Sequence, residues 1–349
     1  MKRNLSIPFF ILLSVLVFSL GLLSCTTTAP ETVPEVDSQL GETHPSTGST
    51  GAFLSHLEDL SPVDLAEGDL LTVVATTTIL ADVAANIGGE TVDLIGLFPL
   101  GSDPHTYEPT PADYQIMVQA DVILINGVGL EEFLNPTLEQ VSPDTPIISV
   151  SENIDLLSFG ETGDAHGHDA GYDPHVWFDP ENVRLWVDTI VQVFSTLDPD
   201  HAADYQANGT AYNWQLDELD QWIFKQTDLI PQENRELVTD HTAFSYFAAR
   251  YNFVMIGAVI PAYSTSAEPS AQELAALEDT IKELEVKALY VGTSANPTLA
   301  EQAARDTGVQ LLPLYTGSLS DGSGPAATYL ELMRYNVNSI VNGLSGSDR

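Results

Sequence analysis

Short apolar runs alternate with helical stretches from Leu70 to Leu344, and this alternation constrains the fold more than any other feature of the sequence. The runs are rich in Val, Ile and Leu without a polar face, which is typical of strands buried on both sides. The alternation of strands and helices along the chain favours a parallel sheet covered by helices. The predicted strands are 70–77, 92–98, 121–126, 147–150, 237–239, 253–260, 286–291 and 309–314. The predicted helices are 79–87, 112–119, 130–141, 181–197, 201–229, 244–251, 270–284, 297–307 and 326–344.

The helical pattern over 201–229 divides this region into two halves. At 1.5 Å per residue, about 28 residues would span roughly 42 Å, more than a small domain needs for internal packing. We therefore predict an α/β protein with two βα-sandwich lobes, 69–198 and 230–346, joined by a long helix within 199–229. Gly209 lies inside this helix, where glycine costs up to ~1 kcal/mol relative to alanine and allows a kink.

The N-terminus has the parts of a secretory signal, with Lys2 and Arg3 before an apolar segment over 7–23. That segment is shorter than the ~20 residues of a spanning helix. Residues 22–25 resemble a bacterial lipoprotein processing site, which predicts a signal peptide over 1–24 and lipid attachment at Cys25. An ordinary cleaved signal and a retained membrane helix are the alternatives. Cys25 is the only cysteine, so an intramolecular disulfide and a structural thiolate metal site are excluded.

Residues 25–68 are rich in Thr, Pro, Ser, Gly and acids, which predicts a flexible tether between membrane and folded body. The chain has 50 acidic and 11 basic residues and a formal charge of −39. A phosphate backbone would be repelled by this charge, so nucleic acid is excluded as a partner. Such a surface raises the local concentration of cations, although it does not identify a binding site.

Three of the eight histidines, His105, His175 and His241, follow predicted strands or lie between prolines. The sequence Asp-Pro-His occurs twice, at 103–105 and 173–175. Ligands of open α/β sheets bind beyond the carboxyl ends of the strands, so these side chains are candidates for one site. Three neutral imidazoles on loops suit zinc, whereas manganese is better served by added carboxylates. The alternative is that some of them are core histidines.

Five segments of the chain are similar to the zinc/manganese-binding solute-binding lipoproteins of bacterial ABC importers, and the resemblance covers about 70–344. The segments are 101–111, 173–180, 239–247, 268–271 and 328–336. The resemblance implies two α/β lobes joined by one long rigid helix, with the metal in the cleft between them. It places the family's three histidine ligands on His105, His175 and His241, and it implies no enzymatic activity.

Two glycines depart from the family pattern. Many members carry an aspartate ligand where this chain has Gly317, and relatives often carry glutamate where it has Gly292. The fourth ligand is then water, Asp321, or another carboxylate that closure of the cleft brings in. Both losses remove carboxylate from the cleft, and we therefore expect zinc as the metal, with manganese as the alternative.

His166 and His168 lie in an acidic segment that resembles a reduced form of the histidine-rich loop of zinc-binding relatives. They are candidates for an accessory metal loop, and a solvated loop is the alternative.

The expected function is capture of Zn²⁺ at the outer face of the cytoplasmic membrane and delivery to an ABC permease with a cytoplasmic ATPase. We expect a lipid-anchored monomer. One rival is a zinc hydrolase, because three histidines and an open fourth position also describe a catalytic zinc. No motif supplies its general base, and the nearest candidates are Glu108 and Asp321. Another rival is a surface adhesin with incidental metal binding.

Overall fold

A computed structural model describes residues 54–158 and 171–345 of the chain. The predicted signal peptide, Cys25, His166 and His168 lie outside these residues, as does most of the predicted tether. In the part of the chain that is described, no helix is both long and apolar enough to cross a membrane.

The first lobe is built around a four-stranded sheet in the order β2-β1-β3-β4, in which every pairing is parallel. Its strands are β1 (Leu71–Ala75), β2 (Val92–Gly96), β3 (Val122–Ile125) and β4 (Ile147–Ser149). Its helices are α1 (Thr78–Gly88), α2 (Pro111–Val118), α3 (Asn135–Val141) and α4 (Pro180–Leu197). The single helix predicted over 130–141 is wrong at its start, because a separate 3-10 turn covers Glu132–Leu134 before α3. Pro136 suits the first turn of a helix but not its interior.

The second lobe repeats this arrangement with a parallel sheet in the order β6-β5-β7-β8. Its strands are β5 (Glu236–His241), β6 (Val254–Ile260), β7 (Ala288–Gly292) and β8 (Gln310–Leu314). The long helix between the lobes is α5 (Ala202–Thr227), and the helices of the second lobe are α6 (Ser245–Tyr251), α7 (Ala271–Glu283), α8 (Thr298–Thr307) and α9 (Tyr329–Leu344). Two parallel α/β sheets with flanking helices confirm the predicted fold class.

Helix α5 packs against α1 and α4 of the first lobe and against α9 of the second. The residues that α5 buries recur every three or four positions and include Tyr205, Tyr212, Leu216, Leu219 and Ile223. Gly209 lies on this face, and the helix is continuous through it. A Cβ at position 209 would come within 2.5 Å of Val191 Cγ2 on α4. The glycine therefore allows α4 and α5 to approach closely.

The two lobes share one hydrophobic core on the side of α4, α5 and α9. Phe178 of the first lobe stacks on Phe244 of the second, with ring centroids 4.1 Å apart. The buried Trp177 indole donates to the backbone carbonyl of Thr316 at 3.1 Å, and the Tyr329 hydroxyl donates to the carbonyl of Trp177 at 2.8 Å. Two smaller core clusters each lie within one lobe. Apolar burial therefore joins the lobes along one side.

Polar contacts also join the two lobes on the side of the shared core. The Arg250 guanidinium of α6 binds both carboxylate oxygens of Asp220 on α5 at 2.7 Å. It also lies 3.2 Å from Asp179, whose carboxylate accepts the backbone N–H of Glu181 at the start of α4. One arginine of the second lobe thus binds the long helix through a bidentate ion pair and also contacts the first lobe.

Candidate metal centre

Three imidazoles meet where the carboxyl ends of the two sheets face each other. His105 lies in the loop after β2, His175 lies between β4 and α4, and His241 is the last residue of β5. The Nε2 atom of His175 lies 3.1 Å from Nε2 of His105 and 3.2 Å from Nε2 of His241. In the described ranges this is the only group of three or more His, Cys, Asp or Glu side chains that could hold one ion, with ligand atoms within 4.8 Å of one another.

Asp173 fixes the orientation of His175. Its Oδ1 accepts the backbone N–H of His175 at 2.9 Å and the ring Nδ1–H at 2.7 Å. Pro174 lies between the two residues, and a 3-10 turn over Val176–Phe178 follows. The His175 side chain is 1% exposed, so a rigid, buried segment presents it.

Asp240 supports His241 in the same manner. Its Oδ1 accepts the backbone N–H of His241 at 2.8 Å and the ring Nδ1–H at 2.9 Å, while its Oδ2 accepts the N–H of Gly292 at 2.8 Å. A side chain at position 292 would overlap the Thr316 hydroxyl and approach Asp240. The glycine that departs from the family pattern therefore leaves the space that Thr316 and Asp240 occupy beside the end of β7.

His105 is held differently. Its backbone N–H donates to Asp103 Oδ1 at 3.0 Å. Among the described residues, no carboxylate accepts a hydrogen bond from the His105 ring. The residue is also less buried than the other two. His105 therefore depends on its loop for its position.

The hydrogen bonds assign the proton of each supported ring to Nδ1, because a carboxylate accepts there. The Nε2 lone pairs of His175 and His241 are then free and point at each other and at His105. Nitrogen ligands at ~2.0–2.1 Å from one tetrahedral ion lie about 3.3 Å apart, close to the observed distances. Facing lone pairs at this separation repel unless a cation lies between them, so the arrangement suits a metal ion.

Burial, followed by the neighbouring imidazoles, lowers the pKa of His105 and of His175 well below 6.5. Burial also opposes protonation of His241, but the charge and hydrogen bond of Asp240 outweigh it and raise the pKa of His241. Burial raises the pKa of Asp173 to about 7. For Asp240, burial is offset by His241 and two backbone N–H groups, so its pKa is lowered. His105 and His175 are thus neutral imidazoles at neutral pH, which is the form that metal binding requires.

The pocket around the imidazoles is lined by both lobes. Its residues are Asp103, Pro104, His105, His175, His241, Thr265, Ser294, Thr316 and Gly317. A Cβ at Gly317 would overlap the ring of Pro104. The ring of Pro104 therefore fills the space in which a side chain at position 317 would lie.

The sequence left Asp321 as a candidate fourth ligand, but the structure does not bring it to the pocket. Its carboxylate is exposed and accepts hydrogen bonds from the N–H and hydroxyl of Ser323. Glu108, a candidate base under the hydrolase hypothesis, is also exposed and does not line the pocket. The described residues therefore place three imidazoles and no carboxylate oxygen in the cluster.

Sequence reasoning singled out the histidines but missed the roles of Asp103, Asp173 and Asp240. The signal was available, because an aspartate precedes each of the three histidines by one or two residues. Such carboxylates orient metal-binding imidazoles in many sites.

Comparisons with known proteins agree on one family. The family model described as "Zinc-uptake complex component A periplasmic" matches residues 73–343. The manganese-binding lipoprotein MntA of Halalkalibacterium halodurans is 37% identical over 281 residues, which cover 80% of this chain and 90% of that one. The manganese ABC transporter substrate-binding lipoprotein PsaA of Streptococcus mitis is 30% identical over 289 residues, with coverages of 81% and 92%.

The fold has solved counterparts. The periplasmic zinc-binding protein TroA from Treponema pallidum superposes with a TM-score of 0.72 at 28% identity and covers 79% of this chain and 99% of its own. These proteins bind solutes and are not enzymes, which rules out the hydrolase hypothesis. The chain belongs to the family of metal-binding lipoproteins that serve as substrate-binding components of bacterial ABC importers.

Proposed function

We propose that this protein captures a divalent transition metal outside the cytoplasmic membrane and delivers it to an ABC permease driven by a cytoplasmic ATPase. The observation that carries the proposal is that the Nε2 atoms of His105 and His241 lie 3.1 and 3.2 Å from Nε2 of His175, in a pocket lined by both lobes. His105, His175 and His241 would coordinate the ion, and Asp173 and Asp240 would balance its charge through the imidazoles.

Manganese is the cargo that the relatives support better, because both sequence relatives described above carry manganese in their names. Zinc is the second candidate. It is favoured by the donor set, since three nitrogen ligands without a carboxylate suit zinc better than manganese. The description of the matching family model and the name of TroA also carry zinc.

The remaining features of the proposal come from the sequence and from the family. Residues 1–24 would be a signal peptide, Cys25 would carry the lipid, and 25–68 would tether the metal-binding body to the membrane. The lobes would be 69–198 and 230–346, with 199–229 as the linking helix, and the protein would act as a monomer. His166 and His168 would form an accessory loop that catches metal weakly.

Metal analysis of protein purified without chelator, followed by competition between Mn²⁺ and Zn²⁺, tests the proposal. One bound transition metal per chain is expected, and the competition identifies the cargo. His175→Ala should abolish this binding. His201→Ala is the matched control, because the His201 ring bonds to Asp198 and lies outside the cluster. No bound metal at neutral pH, or full binding by His175→Ala, would overturn the assignment.

The adhesin hypothesis makes the opposite prediction. Under the adhesin hypothesis, cell-surface binding would survive replacement of all three histidines. Under the proposed function, the same replacement would abolish metal delivery. Uptake of the radioactive metal by cells that carry the triple variant separates the two functions.

A further inference from the structure

Asp103 uses its two carboxylate oxygens for two different contacts. Oδ1 accepts the backbone N–H of His105 at 3.0 Å, within the loop of the first lobe. Oδ2 accepts the hydroxyl of Thr265 at 2.6 Å, across the cleft in the second lobe. One side chain therefore connects the backbone of a proposed ligand to the opposite lobe.

The segment that carries Thr265 follows β6 and is itself fixed near another proposed ligand. The N–H of Thr242, the residue after His241, donates to the carbonyl of Ala262 at 3.0 Å. The hydroxyl of Ser266 also donates to the carbonyl of His105 at 3.3 Å. Hydrogen bonds thus attach the segment 262–266 both to the end of β5 and to the loop of His105.

We propose that Asp103 is a positioning residue and that its hydrogen bond to Thr265, the Asp103–Thr265 clasp, holds His105 at the metal and sets the rate of metal release. The inference rests on the proposed function. When the clasp opens, the loop of His105 loses a contact with the second lobe, while His175 and His241 keep their own carboxylates.

The location of the clasp separates it from the other contacts between the lobes. Trp177, Phe178 and Tyr329 join the lobes through a buried core, whose disruption would unfold the protein. Asp103 and Thr265 are both partly exposed and line the pocket. A contact of this kind breaks and re-forms without loss of the core, as a gate requires.

Thr265→Val removes the hydroxyl while keeping the shape of the side chain. We expect the metal to leave about tenfold faster, the size expected for one hydrogen bond to a charged acceptor. The release rate is measured by stopped-flow mixing of protein loaded with Mn²⁺ or Zn²⁺ with an excess of chelator. Thr265→Ser should restore the wild-type rate. Thr196→Val is the matched control, because the Thr196 hydroxyl bonds to Gln192 within α4.

Asp103→Ala should release metal at least as fast, and adding Thr265→Val to it should cause no further increase, because both changes break the same contact. An unchanged release rate in Thr265→Val, or full additivity in the double variant, would overturn the clasp. If wild-type protein binds neither metal, the proposed function fails instead, so the two failures are distinguishable. The unfolding temperatures of the metal-free variants should match that of the wild type. An unfolding temperature as low as that of a core variant would show that Asp103 has only a structural role.

Discussion

The metal centre combines two anchored imidazoles with one that depends on a loop. His175 and His241 are buried, and each donates Nδ1–H to a carboxylate held by its own backbone. His105 is partly exposed and is placed by Asp103 and by contacts across the cleft. Under the proposed function, two fixed ligands would hold the ion while the third, on its loop, would leave first, so that tight binding and release are compatible.

Removal of an anchored imidazole tests this comparison most severely. We expect His175→Ala to bring metal binding below detection, because it removes the ligand whose Nε2 lies closest to both others. His105→Ala should retain weak binding through the remaining pair. Isothermal titration of both variants under the same conditions measures the difference, and equal losses would contradict the distinction between anchored and loop-borne ligands.

The supporting carboxylates should have the next largest effect. Asp173→Asn and Asp240→Asn are each expected to weaken metal binding about 10–100-fold, because they disturb the tautomer and orientation of an anchored ring. The metal affinity is measured by competition with a chelator of known affinity. Asp321→Asn, in an exposed turn, is the control. Wild-type affinity in both cleft variants would show that the carboxylates do not orient the ligands.

As the pH falls, His241 should be the first of the three imidazoles to be protonated. Metal requires its neutral form, and Asp240 raises its pKa above 6.5, so affinity should fall as the pH drops through that raised value. His105 and His175 have lowered pKa values and should protonate only in more acidic solution. In Asp240→Asn the pH at half-maximal affinity should move down. A pH series of chelator competitions measures this, and an upward or absent shift would contradict the prediction.

Gly317→Ala should affect only the loop-borne ligand. The added methyl group overlaps Pro104, so the loop of His105 must move. Overpacking of this kind costs about 1–3 kcal/mol, and we expect a loss of about tenfold in metal affinity. In a His105→Ala background the same change should have little effect. Gly317→Asp should likewise weaken binding, and tighter binding would show that the family's carboxylate fits here after all.

The smallest effect on metal affinity is expected from Gly209→Ala in α5. Helix propensity alone predicts a gain of up to ~1 kcal/mol in the free energy of unfolding. Contact with Val191 on α4 opposes this, and overpacking of about 1–3 kcal/mol should leave the protein less stable. Chemical denaturation measures the stability, and metal affinity should not change. Ala207→Gly in the same helix is the control, and a more stable Gly209→Ala variant would show that the glycine is not required.

Local patterns predicted most of the secondary structure. The strand predicted over 92–98 is observed as Val92–Gly96, and the helix over 181–197 as Pro180–Leu197, because their periodicity and bounding prolines are visible in the sequence. The sequence did not reveal the packing role of Gly209, and the reason is physical. Propensity describes a glycine by its own backbone, whereas its role here is set by a neighbouring helix.

The α/β fold, the three histidines and the aspartate that precedes each of them can be read from the sequence alone. Three features became visible only in the packed structure: the three Nε2 atoms meet, Pro104 fills the space beside Gly317, and Asp103 reaches Thr265. The reason is that periodicity reports which face of an element is buried. Distances between side chains on different lobes depend instead on how the lobes pack through their shared core.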